Sequence, residues 1–509
     1  MIRKKDFKKI ELRIALCYPN LYQAGIACHA IQLLYYLFNS FENIQCERFY
    51  YDPKNPPKSI ESKVSLKSFN IICFSLQYEL DYINMLKMIS FGGIPLHSQK
   101  RSSPLIIVGG PCALENPRPL FQFIDLFILG DLEPIFDQLI EYLIEFKNGN
   151  KILKDFCNIP GVLVPRFNQD KKISKIIALD LDKCFHPISQ LISDSSPFGK
   201  SLLLEVTRGC PRGCRFCLIG YQNLPMRFRS LSSLKKIILD GIERSYVDKI
   251  SLIAPSLSDY PYLEELCAFI VEQGLKLSIP SIRIDSLSES LLEILKNSGL
   301  KTLSIAPESG SSRLRTAIGK NISEELLLSK IIACSETKIE NLKLYFLINL
   351  PTETSEDIQA INELLKILIQ KAYPPQNLHL SINPFIPKPH TPFQWEPPIN
   401  VPTLQKTIKY LQKSIRKLKI YNIEFLDPRW ARIQGVLSRG NEKLGEILLN
   451  VMQNGSSLGA WRKVTKIFNY SIENSQLFHP TLDELLPWDF IDVKIAKKKL
   501  LNLYQQTHG

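Results

Sequence analysis

Cys210, Cys214 and Cys217 stand as C-x3-C-x2-C within "EVTRGCPRGCRFCLIGYQ" (205–222), three of the chain's twelve cysteines. Thiols so close together serve metals or redox exchange. A redox pair needs only two cysteines, and a structural zinc site closes with four protein ligands. A fourth zinc ligand would have to come from a distance, such as Cys184 or His186 in "KCFHP". A four-iron cluster ordinarily takes four thiolates, so three would leave one iron open to another ligand. Gly209 and Gly213 let the loop backbone come close to such a cluster. Arg208, Arg212 and Arg215 are expected to offset the thiolate charge and lower the thiol pKa values.

The elements that must position this loop alternate between short β-rich runs and longer amphipathic ones. Six strands are expected at 201–206, 249–254, 276–283, 302–308, 342–350 and 378–387. Strands this apolar, alternating with helices, imply a parallel sheet with right-handed crossovers, closed into an incomplete barrel. In such barrels function gathers where strands end and loops lead into helices. The cysteines follow strand one, and "PSLSDYP" with Ser256, Ser258 and Asp259 follows strand two. Arg283 and Asp285 close strand three, "PESGS" closes strand four, "NLPTET" follows strand five and "PKPHTPFQW" follows strand six. Ser355 is the expected N-cap of the helix after strand five.

The cysteine motif after strand one, with aromatic Phe216 before the last cysteine, resembles the signature of radical S-adenosylmethionine (SAM) enzymes. That resemblance implies that Cys210, Cys214 and Cys217 hold a four-iron four-sulfur cluster. The open iron would chelate SAM, and one electron would cleave it to a 5′-deoxyadenosyl radical. "APESGS" resembles a strand-four segment that faces SAM, which makes Glu308 and Ser309 cofactor-side candidates beside Phe216, Ser256 and Arg283. A second reading of Glu308, as an acid at a helix N-terminus, stays open. "NLPTETSED" resembles a strand-five segment in which glycine usually stands at the place of Asn349.

Residues 12 to about 147 alternate in the same way, with five strands in a doubly wound parallel sheet. Such a domain ahead of the barrel resembles cobalamin-binding radical SAM proteins, which carry D-x-H-x-x-G after strand one. Here "NLYQAG" keeps Gly25 but has Asn20 for Asp and Tyr22 for His, and "VGGP" supplies Gly109 and Gly110. Tyr22, Gly25, Gly109 and Gly110 are the candidate cobalamin contacts. Two outcomes stay open: cobalamin bound without a protein histidine, or a domain that has lost the cofactor and become a docking surface. In order along the chain, the motifs resemble an uncharacterised bacterial family of radical SAM proteins with an N-terminal cobalamin-type domain.

The expected organisation is a cobalamin-binding-like domain at 1–147 and a linker with a small β element at 148–200. A partial barrel follows at 201–400, then a mainly helical region at 401–509. The chain's 509 residues are 45% hydrophobic and 22% charged, with a net charge of +13 that permits an anionic partner without identifying one. Scattered single cysteines in apolar runs read as reduced core thiols, and no run of about 18 apolar residues reads as a membrane span. The expected setting is cytoplasmic, with no membrane partner. "LQKTIKYLQKSIRKLKI" (404–420) places its cations largely off its apolar stripe.

The expectation is therefore a radical SAM enzyme, reduced by a partner such as flavodoxin or ferredoxin, with cobalamin-dependent methyl transfer as the finer reading. One alternative is methylation or methylthiolation of RNA. Another is a non-catalytic iron–sulfur protein that carries electrons or senses redox state.

Overall fold

A computed structural model describes residues 5, 7–337, 339–470 and 483–508. The chain divides into two compact units, one containing Met1–Gly199 with segments after Val436, the other containing Lys200–Gly435 and the C-terminal helix.

The first unit is built on β1 (Leu12–Tyr18), β2 (Ile44–Tyr50), β3 (Ile71–Ser75), β4 (Leu105–Gly109) and β5 (Leu126–Ile128), which lie parallel in the order β2-β1-β3-β4-β5. In register, Ile14 faces Cys46 on one side and Ile71 on the other. Sandwiched between neighbours and covering helices, β1 is buried along nearly its whole length, which is why it reads as a continuous apolar run. The order reverses at β1/β3, and ligands of such sheets bind outside the strand ends at that switch point. Val162–Leu163, within the stretch expected to be a linker, adds an antiparallel edge strand, β6, beside β5.

The second unit carries the six expected barrel strands, observed at Leu202–Glu205, Lys249–Ile253, Lys276–Ser278, Thr302–Glu308, Asn341–Ile348 and Leu378–Pro384. A seventh, Ile423–Phe425, pairs parallel to the sixth and was not expected from sequence. The first three form one parallel sheet and the last four another, and a parallel bridge between Ile282 and Ile305 joins them. The helices alternate with the strands as their periodicity requires. The helix after strand five, Ser355–Lys371, is capped by Thr354 rather than Ser355. The Thr354 N–H donates to Asp357 Oδ2 at 2.9 Å, so Ser355 becomes the first helical residue.

Beyond the barrel the chain is mainly helical, with helices at Val401–Lys417, Pro428–Arg439, Leu444–Gln453, Leu458–Ile467 and Lys497–His508. Among the described residues no helix is long and apolar enough to cross a membrane.

Candidate iron–sulfur and SAM site

The cysteine loop leaves the first barrel strand through Thr207–Arg208, which pairs antiparallel with Arg227–Phe228 and closes the base of the loop. Gly209 turns the chain at φ +82°, where a Cβ would stand 2.4 Å from the Asn223 carbonyl oxygen. Gly213 takes φ +64° in open space, and the Tyr221 hydroxyl donates to its carbonyl at 2.8 Å. Left-handed backbone at both positions bends the loop around its three thiols.

All three cysteines are free and half-buried. Burial pushes the Cys217 thiol up to about 11, opposed by the backbone N–H groups of Gly220 and Ile219. Burial also raises Cys214, while the charges of Lys320 and Arg283 pull it down and those of Glu308 and Cys210 push it further up. Thiols held this way surrender their protons to a bound metal rather than to water. Among the described residues, the cysteines are not gathered with any third ligand atom inside 4.8 Å. Three sulfurs on one tetrahedral zinc would lie about 3.8 Å apart. Three thiolates with no fourth protein ligand among the described residues suit a four-iron cluster that keeps one corner open.

The charges near the thiols are not the ones expected from sequence. Arg208 turns back onto Glu205, with Nε 2.7 Å from Oε1. Arg212 clasps Asp259 at 2.6 Å and reaches Asp285 at 3.8 Å. Arg215 donates to the Ala317 carbonyl at 3.0 Å. Each loop arginine is thus engaged by a carboxylate or a carbonyl. Compensation comes instead from Lys320 and Arg283, on other segments of the barrel.

Strand four supplies the acid. Glu308 sits at φ +69° and its Oε1 accepts from Lys320 Nζ at 3.0 Å, with both side chains nearly buried. Burial raises its carboxyl and Lys320 lowers it. Ser309 is buried, and its hydroxyl accepts the Ser311 N–H at 3.2 Å. Gly310 admits the backbone of the Ser355–Lys371 helix, since a Cβ would lie 2.3 Å from Ile361 N. Lys320 escaped the sequence reading, although the preceding Gly319 at φ +76° ends a helix where the chain must turn back.

The remaining candidates fall around the same strand ends. Ser256 donates to Asp259 Oδ2 at 2.5 Å and so joins the Arg212 network. Arg283 pairs with Asp285 through Nη2–Oδ2 at 2.8 Å, and its N–H is held by the Ser258 hydroxyl at 2.9 Å. Phe216 packs against a cluster of Leu314, Ile318, Leu350, Phe385 and Phe393. Asn349 adopts φ +65°, and its N–H donates to Glu353 Oε2 at 2.7 Å. It keeps the backbone shape that favours glycine there, because asparagine is among the residues that best tolerate it. Trp395, in the "PKPHTPFQW" segment after strand six, is buried and packs edge-on against Tyr504.

In the first unit, the expected cobalamin contacts gather at the strand ends of the sheet. Tyr22 is half-buried with its ring edge-on to Tyr50, centroids 5.0 Å apart. The Tyr50 ring fills the place beside Gly25, where a Cβ would lie 2.2 Å from its Cε1. Asn20, in the position usually held by Asp, donates to Asp81 Oδ1 at 2.9 Å. Around Gly109 the nearest atom to an added Cβ is 4.0 Å away, whereas one on Gly110 would strike the Leu76 carbonyl at 2.6 Å.

Comparison with known proteins fits this geometry. A family described as the radical SAM superfamily matches residues 204–365, and one described as radical SAM proteins, N-terminal, matches 30–165. The chain is 35% identical over 452 residues to an uncharacterised protein of Methanocaldococcus jannaschii, covering 88% of this chain and 93% of that one. The chain belongs to the radical SAM superfamily. As a radical SAM enzyme it shares the family's use of a four-iron four-sulfur cluster and SAM, which sets aside the electron-carrier alternative. An uncharacterised methyltransferase of Pyrococcus horikoshii is 23% identical over 287 residues, covering 52% of this chain and 58% of that one. In fold, this radical SAM enzyme is similar to the methyltransferase TsrM of Kitasatospora setae, solved with cobalamin and a [4Fe-4S] cluster bound. That likeness has TM-score 0.55 and 13% identity, covering 75% of this chain and 77% of TsrM. It is also similar to the cobalamin-dependent radical enzyme OxsB, with TM-score 0.52 and 13% identity over 98% of this chain and 79% of OxsB.

Proposed function

We propose that this radical SAM enzyme is a cobalamin-dependent methyltransferase whose cluster is held by Cys210, Cys214 and Cys217. A cluster and SAM in that loop supply reductive cleavage to a 5′-deoxyadenosyl radical, given an electron from a low-potential donor such as a flavodoxin or ferredoxin. The observation that carries the reading is the charge arrangement at the thiols: Lys320 and Arg283 both act on Cys214, while Glu308 is held beside Lys320. A cation pair and a carboxylate beside an open cluster corner match the two charged ends of an amino acid. Lys320 or Arg283 would orient the SAM carboxylate, and Glu308 would accept from its amino group.

The first unit's share of the reading rests on its 2-1-3-4-5 strand order and on the open space at Gly109. With Tyr22 turned onto Tyr50, the residues suit a corrin held without a histidine from below. Cobalamin there would serve as a methyl carrier. The supporting likenesses are TsrM and OxsB, whose descriptions name cobalamin.

The test is anaerobic reconstitution followed by metal analysis and electron paramagnetic resonance. About four iron and four sulfide per chain, with a reduced-state signal that changes when SAM is added, is the expected outcome. Stoichiometric zinc without iron would overturn the reading.

A second reading, RNA as the methyl acceptor, is favoured by one surface. Lys409, Gln412, Lys413, Arg416 and Lys417 line an open groove on the Val401–Lys417 helix, and no acid occurs between 401 and 423. Phosphate binding there would weaken steeply with added salt, and salt-independent RNA binding would count against it.

A further inference from the structure

Arg215 lies between two of the three cysteines, yet its side chain is gripped from outside the loop. Its Nη1 donates to the Thr507 hydroxyl at 2.6 Å and to the Ala317 carbonyl at 3.0 Å, and its Nη2 donates to Gln506 Oε1 at 3.3 Å. Its backbone N–H donates to the Ile318 carbonyl at 2.9 Å. Gln506 and Thr507 belong to the last turn of the C-terminal helix, Lys497–His508, so the guanidinium also meets that helix's negative end.

The same helix is fastened independently of Arg215. His508 Nε2 lies 2.6 Å from Glu396 Oε1, and the Tyr504 ring packs against Trp395 and against His508. Tyr504 also joins the apolar cluster that receives Phe216. Residues 215 and 216, immediately before Cys217, are thus held on one side by the Ser312–Ala317 helix and on the other by the chain's last turn.

We propose that the last turn of the chain is part of the cluster site: Gln506 and Thr507 act as positioning residues that fix Arg215 and thereby the spacing of Cys214 and Cys217. The proposal rests on the reading that these cysteines hold a cluster. A loop of nine residues, 209–217, with two left-handed glycines has many conformations to lose, and a cluster binds best where they have been lost beforehand. Charge-assisted contacts from Arg215 to two adjacent residues do this without touching the metal.

The experiment compares Thr507→Val, which keeps shape and loses the hydroxyl acceptor, with Thr507→Ser, which keeps the acceptor. Both are also made with Gln506→Leu. Each full-length protein is reconstituted anaerobically, and loss of cluster absorbance to a ferrous chelator is followed. In parallel, amide hydrogen exchange of 213–217 is measured before reconstitution. Thr507→Val with Gln506→Leu should release iron roughly tenfold faster than wild type, with faster exchange at 213–217. Thr507→Ser should match wild type in both. Equal rates in the valine and serine variants would overturn the proposal, as would exchange that does not change. A wild type that takes up no iron would instead overturn the cluster reading itself, while the exchange comparison would still decide the role of the last turn.

Discussion

Lys320 Nζ lies 3.0 Å from Glu308 Oε1, in a buried pair whose two charges act in opposite directions on the thiol of Cys214. Lys320→Met removes the strongest charge that favours the Cys214 thiolate and strands a carboxylate in the barrel. Removing one partner of a buried pair costs about 3–5 kcal/mol. Urea unfolding should show a loss of that order. Adding Glu308→Gln should recover much of the stability but not SAM binding. A double variant that binds SAM as tightly as wild type would contradict the assigned contacts.

Glu353 makes stability depend on pH. Burial raises its carboxyl from an ordinary 4.5 to about 7, opposed by the N–H groups of Asn349 and Leu350. Between those values the folded chain keeps a proton that the unfolded chain has released. This component of stability is complete below pH 4.5 and declines as pH rises through 7, by roughly 3 kcal/mol in all. Guanidinium unfolding at pH 5 and 7.5 should therefore show a smaller pH difference in Glu353→Gln than in wild type. Parallel slopes would rule out this group as the source.

Asn349 holds φ +65° at the end of the fifth barrel strand. Asn349→Gly should fold at least as well as wild type. Asn349→Ile should lose about 1–2 kcal/mol, because a branched side chain resists left-handed backbone. The two denaturation midpoints give the comparison directly, and equal midpoints would mean the local backbone relaxes.

If cobalamin binds the first unit as proposed, Tyr22, at the place of the usual histidine, would leave the cobalt without a protein nitrogen ligand. Wild type loaded with cobalamin and reduced by one electron should give a paramagnetic spectrum without nitrogen coupling from a protein histidine. Tyr22→His should introduce that coupling. A nitrogen-coupled spectrum already present in wild type would show that another residue reaches the cobalt.

Much of this architecture is legible in the sequence because parallel strands buried on both faces read as continuous apolar runs. β1, buried along nearly its whole length, stands out for that reason, whereas the strand at Asn341–Ile348 alternates buried and half-buried residues although its sequence is largely apolar. The cysteine loop is legible because its chemistry is local: three ligands and two glycines in nine residues. What was not legible is tertiary. The seventh strand, Ile423–Phe425, is only three residues long and gains its identity from pairing with the sixth. Lys320 lies twelve residues and a helix beyond Glu308, so only the folded turn at Gly319 reveals the pair. Sequence proximity misassigned Arg208, Arg212 and Arg215, because their partners Glu205, Asp259 and the Ala317 carbonyl are fixed by the fold and not by closeness to the cysteines in the chain. Thr354 and Ser355 are equally good caps by type, and the Asp357 contact chooses between them.

Radical cleavage of SAM by this chain would be read most directly as 5′-deoxyadenosine formation. The anaerobically reconstituted protein is reduced, given SAM, and compared with a Cys210/Cys214/Cys217→Ala variant carried through the same steps. Product from the wild type alone is the predicted result. No product from a wild type shown to carry its cluster and to bind SAM, tested with and without cobalamin, would contradict the account.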